Sequence, residues 1–193
     1  MLEFFGTCFS VVSRRRWFVV VFSWLFFGFL IIGAVLASLG LGKLFFWPLS
    51  EPSNLEIDNA FVMALWIFLF NLVLSGFLLL TASGAVFFVF PLCFLLARAL
   101  FWGVFLSGLP MPLFLVVIPT LVLEGEGYVF AAAAGLGLGL SWLKPKWLFE
   151  GESISRMEAF KKSFRECAYF YVFVVLLLLV AAIVETVTLI FVA

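Results

Sequence analysis

Long apolar runs separated by short polar interruptions dominate the chain. Five of them, 17–38, 59–80, 85–106, 125–143 and 169–192, approach the roughly 20 residues that a helix needs to cross a hydrocarbon core about 30 Å thick. A sixth stretch, 110–123, is shorter and is bounded by Gly108, Pro110, Pro112 and Pro119. Helical throughout, it would extend only ~20 Å, so it is expected to be broken or re-entrant, with non-helical backbone covered by protein. The predicted fold is therefore all-α. It is a polytopic transmembrane helix bundle forming a single integral membrane domain, 1–193, with five full spans and one broken or re-entrant segment.

The polar positions inside these runs single out 119–139, PTLVLEGEGYVFAAAAGLGLG. Glu124 and Glu126 precede small residues at every fourth position, Gly127, Ala131, Gly135 and Gly139. On a helix these four share one face, and a face of small residues lets a neighbouring backbone come close, as helices pack in lipid. That neighbour can belong to the same chain, to a second copy forming a homodimer or to a membrane-protein partner. Starting the span at 125 puts both acids at a helix start, where free N–H groups and the helix dipole favour negative charge. Arg98, in the second half of the third span, needs a carboxylate at that depth. Glu124 is the first candidate, Glu185 the second and Glu126 the third. Asn71 and Ser75, spaced i, i+4, are expected to make an interhelical hydrogen bond. Glu185, with Thr186 and Thr188 beside it, has to be shielded, protonated or paired. Glu124, Glu126, Arg98, Glu185 and Asn71 thus form the candidate polar cluster, for binding or for structure.

The connecting stretches supply caps and orientation. Phe4, Phe5 and Phe9 suit an amino-terminal segment lying on the membrane surface. The run after Arg14–Arg16 is too long for the core of a signal peptide and reads as a retained first span, with Gly28, Gly33 and Ala37 expected to face other helices. The connection 40–59 holds an aromatic cluster, Phe45, Phe46 and Trp47, suited to the interface, and Asp58 is placed to cap the next helix. Thr81–Gly84 reads as a tight turn, and Pro91 as a bend in the third span. Ser155 and Glu158 have capping-box spacing. Behind them Ile154, Met157, Phe160, Phe164 and Ala168 recur at helical intervals among Arg156, Lys161, Lys162 and Arg165. This predicts an interfacial amphipathic helix, 153–167, resting on membrane lipid or docking a partner.

Composition narrows the class. Of the 193 residues 66% are hydrophobic, 20% aromatic and 11% charged, too apolar for a water-exposed surface. Net charge is zero, and no basic groove argues for nucleic acid. Arg14–Arg16, Lys144, Lys146, Arg156, Lys161, Lys162 and Arg165 make up all of the 11 Lys and Arg except Lys43 and Arg98. The positive-inside rule asks for both groups in the cytoplasm. Five crossings satisfy it in the cell membrane, with the amino terminus cytoplasmic and the carboxyl terminus extracytoplasmic. There is no His, which removes the triads and the zinc-peptidase motif. GLGLG at 135–139 lacks the Lys and Ser or Thr of a P-loop. Cys8, Cys93 and Cys167 are scattered and suggest neither a disulfide framework nor a metal site. No enzyme, metal or cofactor is expected.

Three polar anchors carry a family resemblance. Pro119 and Glu124 have the spacing of a P-H-G-x-x-E motif followed by a small-residue helix, with Thr120 and Leu121 in place of its His and Gly. Asn71 lies in FLFNLVLSG, where the family has a pair of Asn, and Glu185 lies in AAIVETVT. From about Ala60 onward the chain resembles the stage II sporulation protein M-like integral membrane proteins. The resemblance implies a scaffold, since in spore formers the family protein holds a membrane-anchored peptidoglycan-hydrolase machine during engulfment. Other members mostly lack an assigned activity, and some resemble the permease half of ABC-type exporters. The expected function is a non-enzymatic scaffold or assembly component of a membrane or cell-envelope complex. The alternative is a transporter or permease-like component built on the carboxylate–arginine site.

Overall fold

The computed structural model describes residues 2–41, 59–149 and 154–192. The described secondary structure is helical: α1 (Leu2–Arg14), α2 (Arg16–Ser38), α3 (Ala60–Leu69), a π-helical segment (Phe70–Ala82), α4 (Ser83–Val86), α5 (Phe90–Ser107), α6 (Met111–Leu143), α7 (Pro145–Leu148) and α8 (Arg156–Val192). The α3–π–α4 unit forms one rod, Ala60–Val86. With α2, α5, α6 and α8 it makes five helices long and apolar enough to cross a membrane. The chain is an all-helical integral membrane protein. Asp58 and the aromatic cluster Phe45–Trp47 lie outside the described residues. The cap of α3 is Asn59, whose side chain accepts a hydrogen bond from Phe61 N at 2.9 Å.

Three junctions differ from the sequence expectation. The break expected between 110–123 and 125–143 is absent, because α6 runs unbroken through both. Pro112 lies in its first turn, where no intrahelical partner is lost, and Pro119 lies inside the helix, removing a single backbone bond. Joined, the two stretches reach ~50 Å, more than the thickness of the hydrocarbon core. Glu124 and Glu126 consequently stand mid-helix rather than at a helix start. In the same way the expected amphipathic helix and the last span are a single rod, α8. Its start keeps the reciprocal cap, with Glu158 Oε2 accepting from Ser155 N at 2.9 Å and Ser155 Oγ accepting from Glu158 N at 3.3 Å. The hairpin bend falls after Val86 rather than at Thr81–Gly84, and Pro91 sits in the first turn of α5, where its missing N–H costs nothing.

The π-helical winding sets which side chains the second rod presents. Its buried residues, Asn71, Ser75, Gly76, Leu80 and Thr81, recur at intervals of four and five. An α-helix with 3.6 residues per turn would scatter these positions, whereas i→i+5 winding gathers them on one face. That face meets α6. Thr81 Oγ1 donates to the Ala131 carbonyl at 2.9 Å and accepts from Tyr171 Oη of α8 at 2.8 Å.

Helix α6 is the centre of the bundle and packs most extensively against α8. The pair runs antiparallel: Phe130 stacks on Phe173, and Ser163 Oγ donates to the Gly137 carbonyl at 3.1 Å. Its small-residue face is divided between two neighbours. Gly127 faces the Leu178 side chain, while Gly135 and Gly139 meet backbone. A Cβ built on Gly135 would collide with the Leu80 carbonyl, one on Gly139 with the Gly84 carbonyl, and one on Gly84 with Gly135. Helices α2 and α5 meet in the same way, Gly33 against the Leu100 carbonyl and Gly103 against the Leu30 carbonyl, whereas Gly28 has nothing within 4 Å. Tyr128, Val129, Ala131, Ala132, Val174 and Leu178 are fully buried in the core. Outward faces carry Phe61, Trp66, Val86 and Ile190, as lipid contact requires.

The glycine contacts generate a direct test. Gly135→Leu is expected to destabilise the bundle by about 1–3 kcal/mol or more, because the neighbouring atoms are backbone and cannot rotate away. Gly28→Leu is expected to leave it unchanged. Thermal unfolding of both variants in detergent reads the difference, and equal behaviour would contradict the close approach.

Candidate functional site

Burial forces the chemistry of the central acid. Glu124 is 3% exposed, so any charge it carries must be met inside the bundle. Arg98 of α5 meets it, Nη2 lying 2.9 Å from Glu124 Oε1. One turn further along α6, Tyr128 points the same way, since residues four apart share a helix face. Its hydroxyl accepts from Arg98 Nη2 at 2.7 Å and donates to the same Glu124 oxygen. The guanidinium carbon lies 4.3 Å from the centroid of the Tyr128 ring and 5.4 Å from that of Trp102, where the ring faces attract a cation. Ser75, on the π-helical face, accepts from Arg98 Nη1 at 3.2 Å. Three elements thus converge on one arginine.

Two adjoining cavities open beside this cluster, and Glu124, Glu185 and Trp102 line both. The larger, about 350 Å³, lies among α5, α6 and α8, with Phe101, Leu121 and Thr120 in its wall. The smaller, about 260 Å³, brings in Asn71, Trp66 and Arg98. Thr120 Oγ1 and Arg98 Nε are buried without a hydrogen-bond partner among the described residues, so polar capacity is left over at this spot. Of the sequence-derived cluster, Arg98, Glu124, Asn71 and Glu185 share these walls. Glu126 does not. It points to α2, where Ser23 Oγ donates to its Oε2 at 3.0 Å, as an i, i+2 spacing on a helix dictates. Among the described residues no group of three or more His, Cys, Asp or Glu could hold a metal ion.

Several participants were not singled out from the sequence. Tyr128 carried a usable signal, being i+4 from Glu124 and one of only 3 Tyr in the chain. Thr120 stands in the place of the motif's His, a departure from the family pattern that gives no sign of a place in the cavity wall. Thr81 and Tyr171 carried no signal, because their bond depends on the π-helical winding. Glu166 was hidden among basic neighbours. It pairs with Arg15 at 2.8 Å and also with Arg14, joining the α1–α2 junction to α8 at the other end of the bundle.

The Arg98–Glu124 pair makes a second prediction. Arg98→Ala and Glu124→Gln are each expected to lower unfolding stability by ~2–4 kcal/mol, with the partial exposure of the guanidinium keeping the loss below that of a fully enclosed pair. The double variant should lose less than the sum of the two by ~1 kcal/mol or more. Additive losses in a double-mutant cycle would remove the pair as a coupled unit.

Comparison with curated proteins and with solved structures finds no match for this chain. A family model described as stage II sporulation protein M matches residues 23–188. That stretch takes in Asn71, Ser75, Arg98, Glu124, Tyr128 and Glu185 and most of the described bundle. The chain belongs to the stage II sporulation protein M family.

Proposed function

We propose that this protein is a non-enzymatic scaffold of a membrane or cell-envelope complex, with Arg98, Glu124, Tyr128 and Ser75 locking its helices rather than handling a substrate. The observation that carries this reading is the filled interior. Between the Glu124 cluster and the Arg15–Glu166 cluster, α6 and α8 contribute Val129, Ala131, Ala132, Val174 and Leu178, each without exposed surface. Family membership supports it, since the family takes its name from a sporulation stage and from no reaction. The test is to purify the protein with its native associates and, in parallel, to compare ion or solute flux of wild type and Glu124→Gln in reconstituted vesicles. A stable envelope-protein complex without flux is the expected result. Glu124-dependent flux, or a stoichiometric ATPase partner, would replace the scaffold by a transporter. That second reading is favoured by the convergence of Glu124, Glu185, Asn71 and Arg98 on adjoining cavities, the pattern of an intramembrane site.

The orientation belongs to the same reading, with the amino terminus cytoplasmic and the carboxyl terminus outside. The pairing of Arg14 and Arg15 with Glu166 supports it, because it draws the two basic groups of the sequence to one end of the bundle, as the positive-inside rule requires of a cytoplasmic face. Cys8 and Cys167 are buried and Cys93 is exposed, so Lys161→Cys in a Cys93→Ser background places one reactive thiol at an exposed position. It should resist a membrane-impermeant maleimide in intact cells and react after permeabilisation. Labelling in intact cells would invert the orientation.

A further inference from the structure

At the end of the bundle remote from Glu124, a cavity of about 510 Å³ lies between the start of α2 and α7, lined by Arg14, Arg15, Trp17, Trp147 and Phe149 among others. Arg15 is 8% exposed and its fork is engaged: Nε and Nη2 reach Glu166 Oε2 at 3.2 and 2.8 Å, and Nη1 donates to the Leu148 carbonyl at 3.3 Å. Arg14 shares the same carboxylate through Nη2 alone, and its side chain is 53% exposed. Two guanidiniums thus meet one carboxylate, which leaves one positive charge over, on the arginine with free donors. The aromatic walls are themselves capped by cations. Lys144 Nζ lies 3.8 Å from the Trp147 ring centroid and Lys162 Nζ 4.5 Å from that of Phe149. Trp17 and Trp147 are 69% and 67% exposed, as tryptophans at a membrane–water boundary are.

We propose that this cavity binds the phosphate headgroup of an anionic glycerophospholipid. Arg14 donates to the phosphate oxygens, held in place by the buried Arg15–Glu166 pair, and the exposed tryptophans lie against the glycerol and the first acyl carbons. A basic pocket at the end of the bundle, walled by aromatic rings and opening where the apolar α2 begins, suits a lipid phosphate better than a soluble one. Arg14, Arg15 and Trp17 precede the residues that the family model matches, whereas Trp147, Phe149 and Glu166 lie among them.

The experiment is native mass spectrometry of the purified full chain after exchange into mixed micelles containing equal phosphatidylglycerol and phosphatidylcholine. Wild type should retain phosphatidylglycerol in preference, and Arg14→Gln should reduce that preference about fivefold, the effect of one basic residue at an anionic surface. Arg156→Gln removes the same charge from an exposed position that is not part of this wall and should change it less than twofold. Trp147→Ala, which leaves the Arg–Glu166 pairing untouched, should also weaken retention, and it keeps the proposal testable if Arg14→Gln fails to fold. Equal loss in Arg14→Gln and Arg156→Gln, unchanged retention in Trp147→Ala, or no preference in wild type would overturn the proposal. Displacement of the lipid by millimolar glycerol 3-phosphate would overturn it too, making the cavity a site for soluble phosphate.

Discussion

Helices surrounded by lipid gain little from burying apolar side chains against each other, so their association rests on how closely they approach. Here the approach is set by glycines facing the backbone of a neighbouring helix. Gly84, Gly135 and Gly139 leave no room for a Cβ between α4 and α6, and Gly33 with Gly103 does the same between α2 and α5. Many small dispersion terms become favourable at that distance and fall away steeply with separation. The polar cluster depends on this contact. Pro91, at the start of α5, also packs beside Gly135, so the same spot that seats the second rod against α6 seats the base of the helix carrying Arg98. Only with both in place does Arg98 reach Ser75 and Glu124 together.

The ion pair then adds register rather than bulk stability. Removing two charges from water offsets most of what their attraction returns, so a buried pair is worth little compared with an apolar substitute and much compared with a half-pair. The shared use of Arg98 by Glu124, Tyr128 and Ser75 makes the arrangement directional. Sliding α5 by one turn, about 5.4 Å, would strand a guanidinium and a carboxylate in lipid at once. Tyr128 tightens this, because its hydroxyl accepts from the arginine and donates to the acid.

The elements were legible where a long-range pattern governs them and illegible where a local backbone choice does. Apolar runs located the helical rods, and the desolvation cost of Arg98 pointed to a carboxylate partner before its position was visible. Prolines misled in part: Pro110 reads as a boundary and does cap α6, yet the same helix accommodates Pro112 in its first turn and Pro119 in its interior. Gly84 read as a turn residue because glycine permits turns, whereas here it is needed for its missing side chain. The π-helical winding of Phe70–Ala82 leaves no signature in residue type, so the partnership of Thr81 with Ala131 and Tyr171 could not be foreseen. Helical geometry alone turns Glu126 away from Glu124, so grouping the two acids in one cluster goes against a rule the sequence already carries.

Helix α8 carries an acid at each level of the bundle, and the contrast between them bears on mechanism. At ~1.5 Å per residue Glu166 and Glu185 stand ~28 Å apart, close to the thickness of the hydrocarbon core. Glu166 is met by two arginines, whereas Glu185 has no hydrogen bond or ion pair among the described residues and opens on the cavities shared with Glu124. Any recognition at membrane depth is therefore concentrated at the Glu185 level. Carrying something from there to the Glu166 level would require α6 to part from its neighbours along the stretch where Gly135 and Gly139 lie in backbone contact. Such contacts resist opening, because a gap of ~0.5–1 Å already forfeits about a quarter to a half of their attraction and replaces it with nothing. A rigid spine whose membrane-depth polar groups stand at one level suits a protein that holds a partner in place better than one that alternates between two open states.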